Sequence, residues 1–143
     1  MALGLIGCTS SNSAPFQPVL SVAGEWQFST TLTTVTPGTT VPPFPIPAVG
    51  STTTGRLILT QAVTTVSGSG TNQSTGTTFP LTGEVQGQAV TLASRDTNAN
   101  CGPVRVDLSL QLNESGTQMT GTAVSQVGSC FSSTGTLTAN RVL

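Results

Sequence analysis

Apolar and polar residues alternate strictly between residues 104 and 112. The apolar members are Val104, Val106, Leu108, Leu110 and Leu112. A period of two residues is typical of a strand with one buried face. After a polar turn at residues 113–116, Met119, Gly121 and Ala123 occupy one face of a second segment with the same period. These two segments therefore predict an antiparallel hairpin.

The rest of the chain predicts further strands. The first opens at Gly24 and places Trp26 and Phe28 on one face. The other predicted strands cover residues 55–60, 66–71, 81–85, 90–92 and 133–142. No segment keeps the period of 3.6 residues that an amphipathic helix needs. Eight strands in four hairpins favour an all-β, up-and-down antiparallel meander that closes as a small barrel, with a β-sandwich as the alternative.

The register of the hairpin at residues 104–123 predicts the pairing of two of the three cysteines. Pairing Leu112 with Met119 seals the apolar face, because Leu110 then lies opposite Gly121. The same register, continued to the open end of the hairpin, brings Cys101 opposite Cys130. We therefore predict a disulfide between them, with two free thiols as the alternative. A disulfide implies folding in an oxidising compartment.

A proline-rich segment separates the first two predicted strands. Residues 36–50 include the run Val41-Pro42-Pro43-Phe44-Pro45-Ile46-Pro47. Proline at this density disfavours both helix and sheet, so a long extended loop is expected. Its apolar residues Val41, Phe44 and Ile46 are candidates for lining a barrel mouth or contacting a protein partner. The alternative is a rigid loop that lays Phe44 on the end of the barrel.

Composition excludes several kinds of function. Charged residues make up 6% of the chain, there is no histidine, and the net charge is −1 with four arginines and no lysine. A nucleic-acid interface is therefore not expected, because nothing forms a basic patch. Residues 96–100 have the spacing of calcium ligands, but Cys101 stands where that loop needs glycine. We expect no enzyme, no metal site and no cofactor.

The N-terminus resembles that of a bacterial lipoprotein. Leu5-Ile6-Gly7-Cys8 is similar to the lipobox, in which a cysteine is acylated and becomes the mature N-terminus. Residues 1–22 are interpreted as a truncated signal sequence and a polar tether, followed by a single β-barrel domain at residues 23–143. The resemblance implies lipidation of Cys8 and a lipid-anchored address in the bacterial cell envelope, periplasmic or surface-exposed.

The first predicted strand carries a second resemblance. Gly24-Glu25-Trp26 is similar to the Gly-x-Trp of lipocalins and their calycin relatives, including avidins, in which the tryptophan plugs one end of the barrel. In lipocalins an arginine near the end of the barrel packs across that tryptophan. Arg141, the only charged residue of the last strand, matches this position, so the resemblance implies that Arg141 packs on Trp26.

The interior of such a barrel is the expected functional site. Small barrels of eight strands are either filled by side chains or hold one small ligand. The candidate ligand-lining residues are Phe28, Leu57, Leu59, Leu108, Leu110 and Met119. Because this lining is apolar, we expect non-enzymatic binding of a small apolar ligand. The alternative is a structural or adhesive surface protein with a filled core that makes protein–protein contacts.

Overall fold

The computed structural model describes residues 20–143 and contains eight antiparallel strands. They are β1 Gly24–Pro37, β2 Thr52–Ala62, β3 Thr65–Asn72, β4 Thr78–Gln86, β5 Ala89–Asn98, β6 Gly102–Leu112, β7 Gln118–Val127 and β8 Phe131–Arg141. Each strand pairs with the next, and β8 pairs with β1 to close a barrel. The predicted all-β meander is confirmed, and its closure decides against the sandwich. Within the described residues, no helix is long and apolar enough to cross a membrane.

The β6–β7 hairpin has the predicted register. Leu112 lies opposite Met119, and Leu110 lies opposite Gly121. At the open end of this hairpin Cys101 and Cys130 form a disulfide, with their Cα atoms 5.4 Å apart. The predicted pairing is therefore confirmed, and it follows from the alternation of apolar residues along β6 and β7.

The first strand is longer than its sequence predicts. β1 continues to Pro37, so the predicted loop at residues 36–50 begins two residues later than expected. A bulge between Leu32 and Thr34 shifts the register, and beyond it β1 continues to pair with β8. Proline is tolerated there because Pro37 is the last residue of the strand, where the missing N–H removes little from the ladder.

The two ends of the barrel differ in their connections. At the end where Trp26 lies, here the tryptophan end, the strands are joined at residues 63–64, 87–88 and 113–117. At the opposite end, here the disulfide end, they are joined at residues 38–51, 73–77, 99–101 and 128–130. The longest of these connections, residues 38–51, is the proline-rich loop. It lies at the disulfide end, whereas the tryptophan end has only short turns.

Large and small residues lie side by side on neighbouring strands of the inner barrel surface. Leu92 on β5 lies opposite Gly83 on β4, and Leu110 on β6 lies opposite Gly121 on β7. A Cβ atom added to Gly83 would come within 1.8 Å of the Thr91 carbonyl oxygen. Glycine thus allows a close backbone approach at this position, and the alternation of large and small residues lets the core interdigitate.

Removal of the disulfide is expected to lower stability strongly. The bridge joins residues 29 positions apart, and closing a loop of that size contributes about 3.5 kcal/mol in the chain-entropy account. The double variant Cys101→Ala/Cys130→Ala should lose about that much free energy of unfolding in a urea titration. Wild-type protein kept reduced should match the variant. A loss below about 1 kcal/mol would contradict the prediction.

Candidate ligand-binding site

Side chains fill the tryptophan end of the barrel. Fully buried members of this packing are Trp26, Val66, Val85, Val90, Leu112 and Met119. Arg141 lies opposite Trp26 on the neighbouring strand, and its Cζ atom is 4.4 Å from the centroid of the indole ring. This is the contact that the Gly-x-Trp resemblance implied, and a cation over an indole face is stabilising.

The same arginine fixes the chain segment that precedes β1. Its Nη1 and Nη2 atoms donate hydrogen bonds to the carbonyl oxygens of Ala23, at 2.6 Å, and Ser21, at 2.7 Å. Its Nε atom donates to the Gly116 carbonyl oxygen at 2.9 Å, and Trp26 Nε1 donates to the Val22 carbonyl oxygen at 2.9 Å. Residues 21–23 are therefore tied to the tryptophan end, where Val22 is fully buried.

The disulfide half of the barrel contains a cavity of about 290 Å³. Its lining is uncharged and comes from the proline-rich loop and from every strand except β5. The lining residues are Phe28, Thr30, Leu32, Pro47, Thr53, Leu57, Asn72, Phe79, Val106, Leu108, Ala123, Ser125, Phe131, Ser133 and Leu137. An apolar cavity with a few polar groups is the usual composition of a small-molecule site. The barrel interior is thus divided into a filled half and a half with room for a ligand.

Two glycines make space for the aromatic rings that line this cavity. A Cβ atom on Gly55 would lie 2.6 Å from Phe28 Cε1, and one on Gly70 would lie 2.3 Å from Phe79 Cζ. Both glycines are cross-strand partners of the phenylalanine concerned. Each ring therefore lies where the partner strand offers no side chain, and the wall of the cavity depends on both glycines.

The proline-rich loop packs over the disulfide end. Phe44 and Ile46 contact a small apolar cluster formed by Cys101, Cys130 and Phe131. The loop is also held by its backbone, since the Gly38 N–H donates to the Cys130 carbonyl oxygen at 2.7 Å, and the Gly50 N–H donates to the Leu32 carbonyl oxygen at 2.8 Å. The disulfide thus supports the loop that borders the cavity.

The predicted ligand-lining residues separate into two groups. Phe28, Leu57 and Leu108 line the cavity. Leu59, Leu110 and Met119 do not, because they belong to the packed core nearer the tryptophan end. All six face the barrel interior, and their height along the barrel axis decides which of them reach free space.

The predicted loop contacts also differ among themselves. Phe44 and Ile46 are half-buried on the disulfide cluster, which corresponds to the rigid-loop alternative for Phe44. Val41 is 92% exposed, and Pro47, which the sequence did not single out, lines the cavity. Cys8, the predicted lipidation site, lies outside the described residues.

Several lining residues were missed by sequence reasoning. Phe79 lies on β4 just before Pro80, and the proline masked the strand there. Ser125 and Ser133 lie on the inward faces of β7 and β8, where a buried serine is not suggested by apolar alternation. Extending the period of two beyond Ala123 reaches Ser125, and extending it through Pro80 reaches Phe79. Ser133 is reached by extending the inward set of the last strand back from Gly135.

Five charged side chains form ion pairs outside the cavity. Glu25 Oε2 is 2.7 Å from Arg56 Nε. Asp107 contacts Arg95 at 3.0 Å and Arg105 at 3.6 Å. Within residues 20–143 no three histidine, cysteine or acidic residues come together as a metal site would need. The chemistry available in the cavity is therefore apolar contact and neutral hydrogen bonding.

Comparisons of this chain with protein-family models, with curated proteins and with solved structures give no match. The geometry of the barrel itself is therefore the evidence that bears on function.

Replacing Arg141 is expected to open the tryptophan end. Arg141→Met keeps the length of the side chain but removes three hydrogen bonds and the cation over Trp26. We expect the free energy of unfolding to fall by about 3 kcal/mol, measured in urea from the fluorescence of Trp26, the single tryptophan.

Arg56→Met is the matched control, because its ion pair with Glu25 is partly exposed and such pairs contribute about 0 to 1 kcal/mol. Equal losses in the two variants would contradict a special role for Arg141.

Proposed function

We propose that this protein is a non-enzymatic binding module that holds a small apolar molecule inside its β-barrel. The observation that carries this proposal is the cavity of about 290 Å³ in the disulfide half of the barrel. Protein interiors are close-packed, whereas this cavity is partly open to solvent and is lined mainly by apolar side chains. A small apolar molecule can enter it and contact that lining.

The volume of the cavity sets the size of the ligand. An apolar cavity of about 150 Å³ can bind benzene, so about twice that volume suits a molecule of the size of naphthalene or somewhat larger. The rings of Phe28 and Phe79 offer aromatic contacts, and Leu57, Leu108 and Leu137 offer aliphatic ones. The proposed ligand class is thus a compact, largely apolar molecule.

The surface gives less support to a structural or adhesive role. That role would be favoured by an exposed sheet edge or by an apolar patch around Phe44. Within residues 20–143 the closed barrel leaves no terminal edge strand, and Phe44 packs on the disulfide cluster. We therefore favour ligand binding over adhesion.

The proposed cellular address is the bacterial envelope, with Cys8 carrying the lipid anchor. The lipobox-like residues before Cys8 support this proposal, as does the Cys101–Cys130 disulfide, which suits an oxidising compartment. The residues between Cys8 and Leu20 would then be the tether, because Val22 is already buried in the barrel. A barrel held at the membrane surface would be placed to receive apolar molecules.

Filling the cavity is expected to weaken binding. Naphthalene titrated into isotopically labelled protein should shift the amide NMR signals of residues around Phe28, Leu108 and Ala123. Ala123→Leu places three further carbon atoms in the cavity, so the affinity should fall at least about tenfold, since methylene-sized changes are felt in packed sites.

Thr122→Leu is the matched control for this experiment, because Thr122 is the exposed neighbour of Ala123 on the same strand. It should bind naphthalene as the wild type does. Absence of shifts in the wild type up to the solubility limit of naphthalene would overturn the proposed function.

Lipidation can be tested separately. The wild-type protein expressed in a Gram-negative host and purified from its envelope should carry the mass of acyl chains at Cys8. Cys8→Ser should lose that mass and appear in the soluble fraction, whereas Ser11→Ala should behave as the wild type. An unmodified mass for the wild-type protein would contradict the lipoprotein address.

A further inference from the structure

The lining of the cavity contains two facing hydroxyl groups. Ser125 on β7 and Ser133 on β8 lie opposite each other in the ladder, and both line the cavity. Along β8 the inward residues run from Phe131 at the disulfide end through Ser133 to Leu137. The serines therefore lie nearer the disulfide end, and the leucine lies deeper in the barrel.

Ser133 is buried without a protein partner. Its residue is only 7% exposed. Side chains of Thr134, Asn140 and Arg141 make hydrogen bonds on the same strand, but within the described residues Ser133 Oγ has none. A buried hydroxyl without a partner is unfavourable. Because Ser133 lies at the cavity wall, this hydroxyl group points to a hydrogen-bonding group on the ligand.

The lining also disfavours a negatively charged ligand. Every residue that lines the cavity is uncharged, and the arginines nearest in the fold contact acidic groups or the tryptophan end instead. A carboxylate placed in the cavity would lose its hydration and find no cation. A neutral hydroxyl or carbonyl group would find Ser133 Oγ, which can both donate and accept a hydrogen bond.

We infer that the cavity selects a neutral amphiphile: an apolar body of about ten carbon atoms with one uncharged hydrogen-bonding group. This inference rests on the proposed function and specifies its ligand class. The apolar body lies deep in the cavity, between Phe28, Leu108 and Leu137. The polar group points toward the disulfide end and makes a hydrogen bond with Ser133 Oγ.

Three matched probes test this selection: naphthalene, 2-naphthol and 2-naphthoate at pH 7. In the wild type, 2-naphthol should bind about 3- to 10-fold more tightly than naphthalene, which corresponds to one neutral hydrogen bond. 2-Naphthoate should bind more weakly than naphthalene, because its charge has no partner. Dissociation constants come from NMR titrations of each probe.

Ser133→Ala should remove the preference for 2-naphthol, measured as the ratio of the dissociation constants of naphthalene and 2-naphthol in the same variant. Ser94→Ala is the matched control, because Ser94 is equally buried, at 4% exposed, but does not line the cavity. It should keep the preference.

The outcomes separate the two proposals. Binding of naphthalene without a preference for 2-naphthol, a preference that survives Ser133→Ala, or tighter binding of 2-naphthoate would each overturn the selection of a neutral amphiphile and leave the binding function standing. Failure of all three probes to bind would overturn the binding function and the selection together.

Discussion

A barrel of eight strands closes only if its last strand returns to its first, and this return is made along β1 and β8. Their ladder runs from Trp26 opposite Arg141 to Pro37 opposite Phe131. At one end of the ladder, the arginine covers the indole and ties down the residues before β1. At the other end, Phe131 belongs both to the disulfide cluster and to the cavity wall. One strand pair therefore determines where the barrel is filled and where it is open.

The bulge in β1 lies next to the point at which β1 and β2 stop pairing. Up to Thr31 the strand pairs with both β2 and β8, but past the bulge it continues along β8 alone. The backbone of Leu32 is then satisfied by residues 50 and 51 of the proline-rich loop. As β1 and β2 part, the loop enters between them and contributes Pro47 to the cavity wall. The loop is thus a part of the barrel wall at the disulfide end.

Much of the fold could be predicted because a period of two residues fixes both the strands and their register. The pairing of Leu112 with Met119 was enough to place Cys101 opposite Cys130. The turn at residues 63–64 lies between two predicted strands, but its backbone conformation could not be predicted. Val63 adopts a positive φ of 58°, which a β-branched residue rarely takes. The bulge near Thr33 also escaped prediction, because nothing in a run of threonines marks one extra residue.

The cavity could not be predicted from the same pattern, for a physical reason. A large residue paired with glycine occurs in both environments. Leu92 and Gly83 lie in the filled core, whereas Phe28 and Gly55 lie at the cavity wall. Both pairs belong to regular ladders, so the difference lies in which side chains from the other strands reach the interior at that height, and one strand pair does not determine this. Buried polar residues carry more information, because a filled core has no use for an unpaired hydroxyl. A buried serine on an inward face, such as Ser133, therefore indicates the height at which the packed core gives way to the cavity.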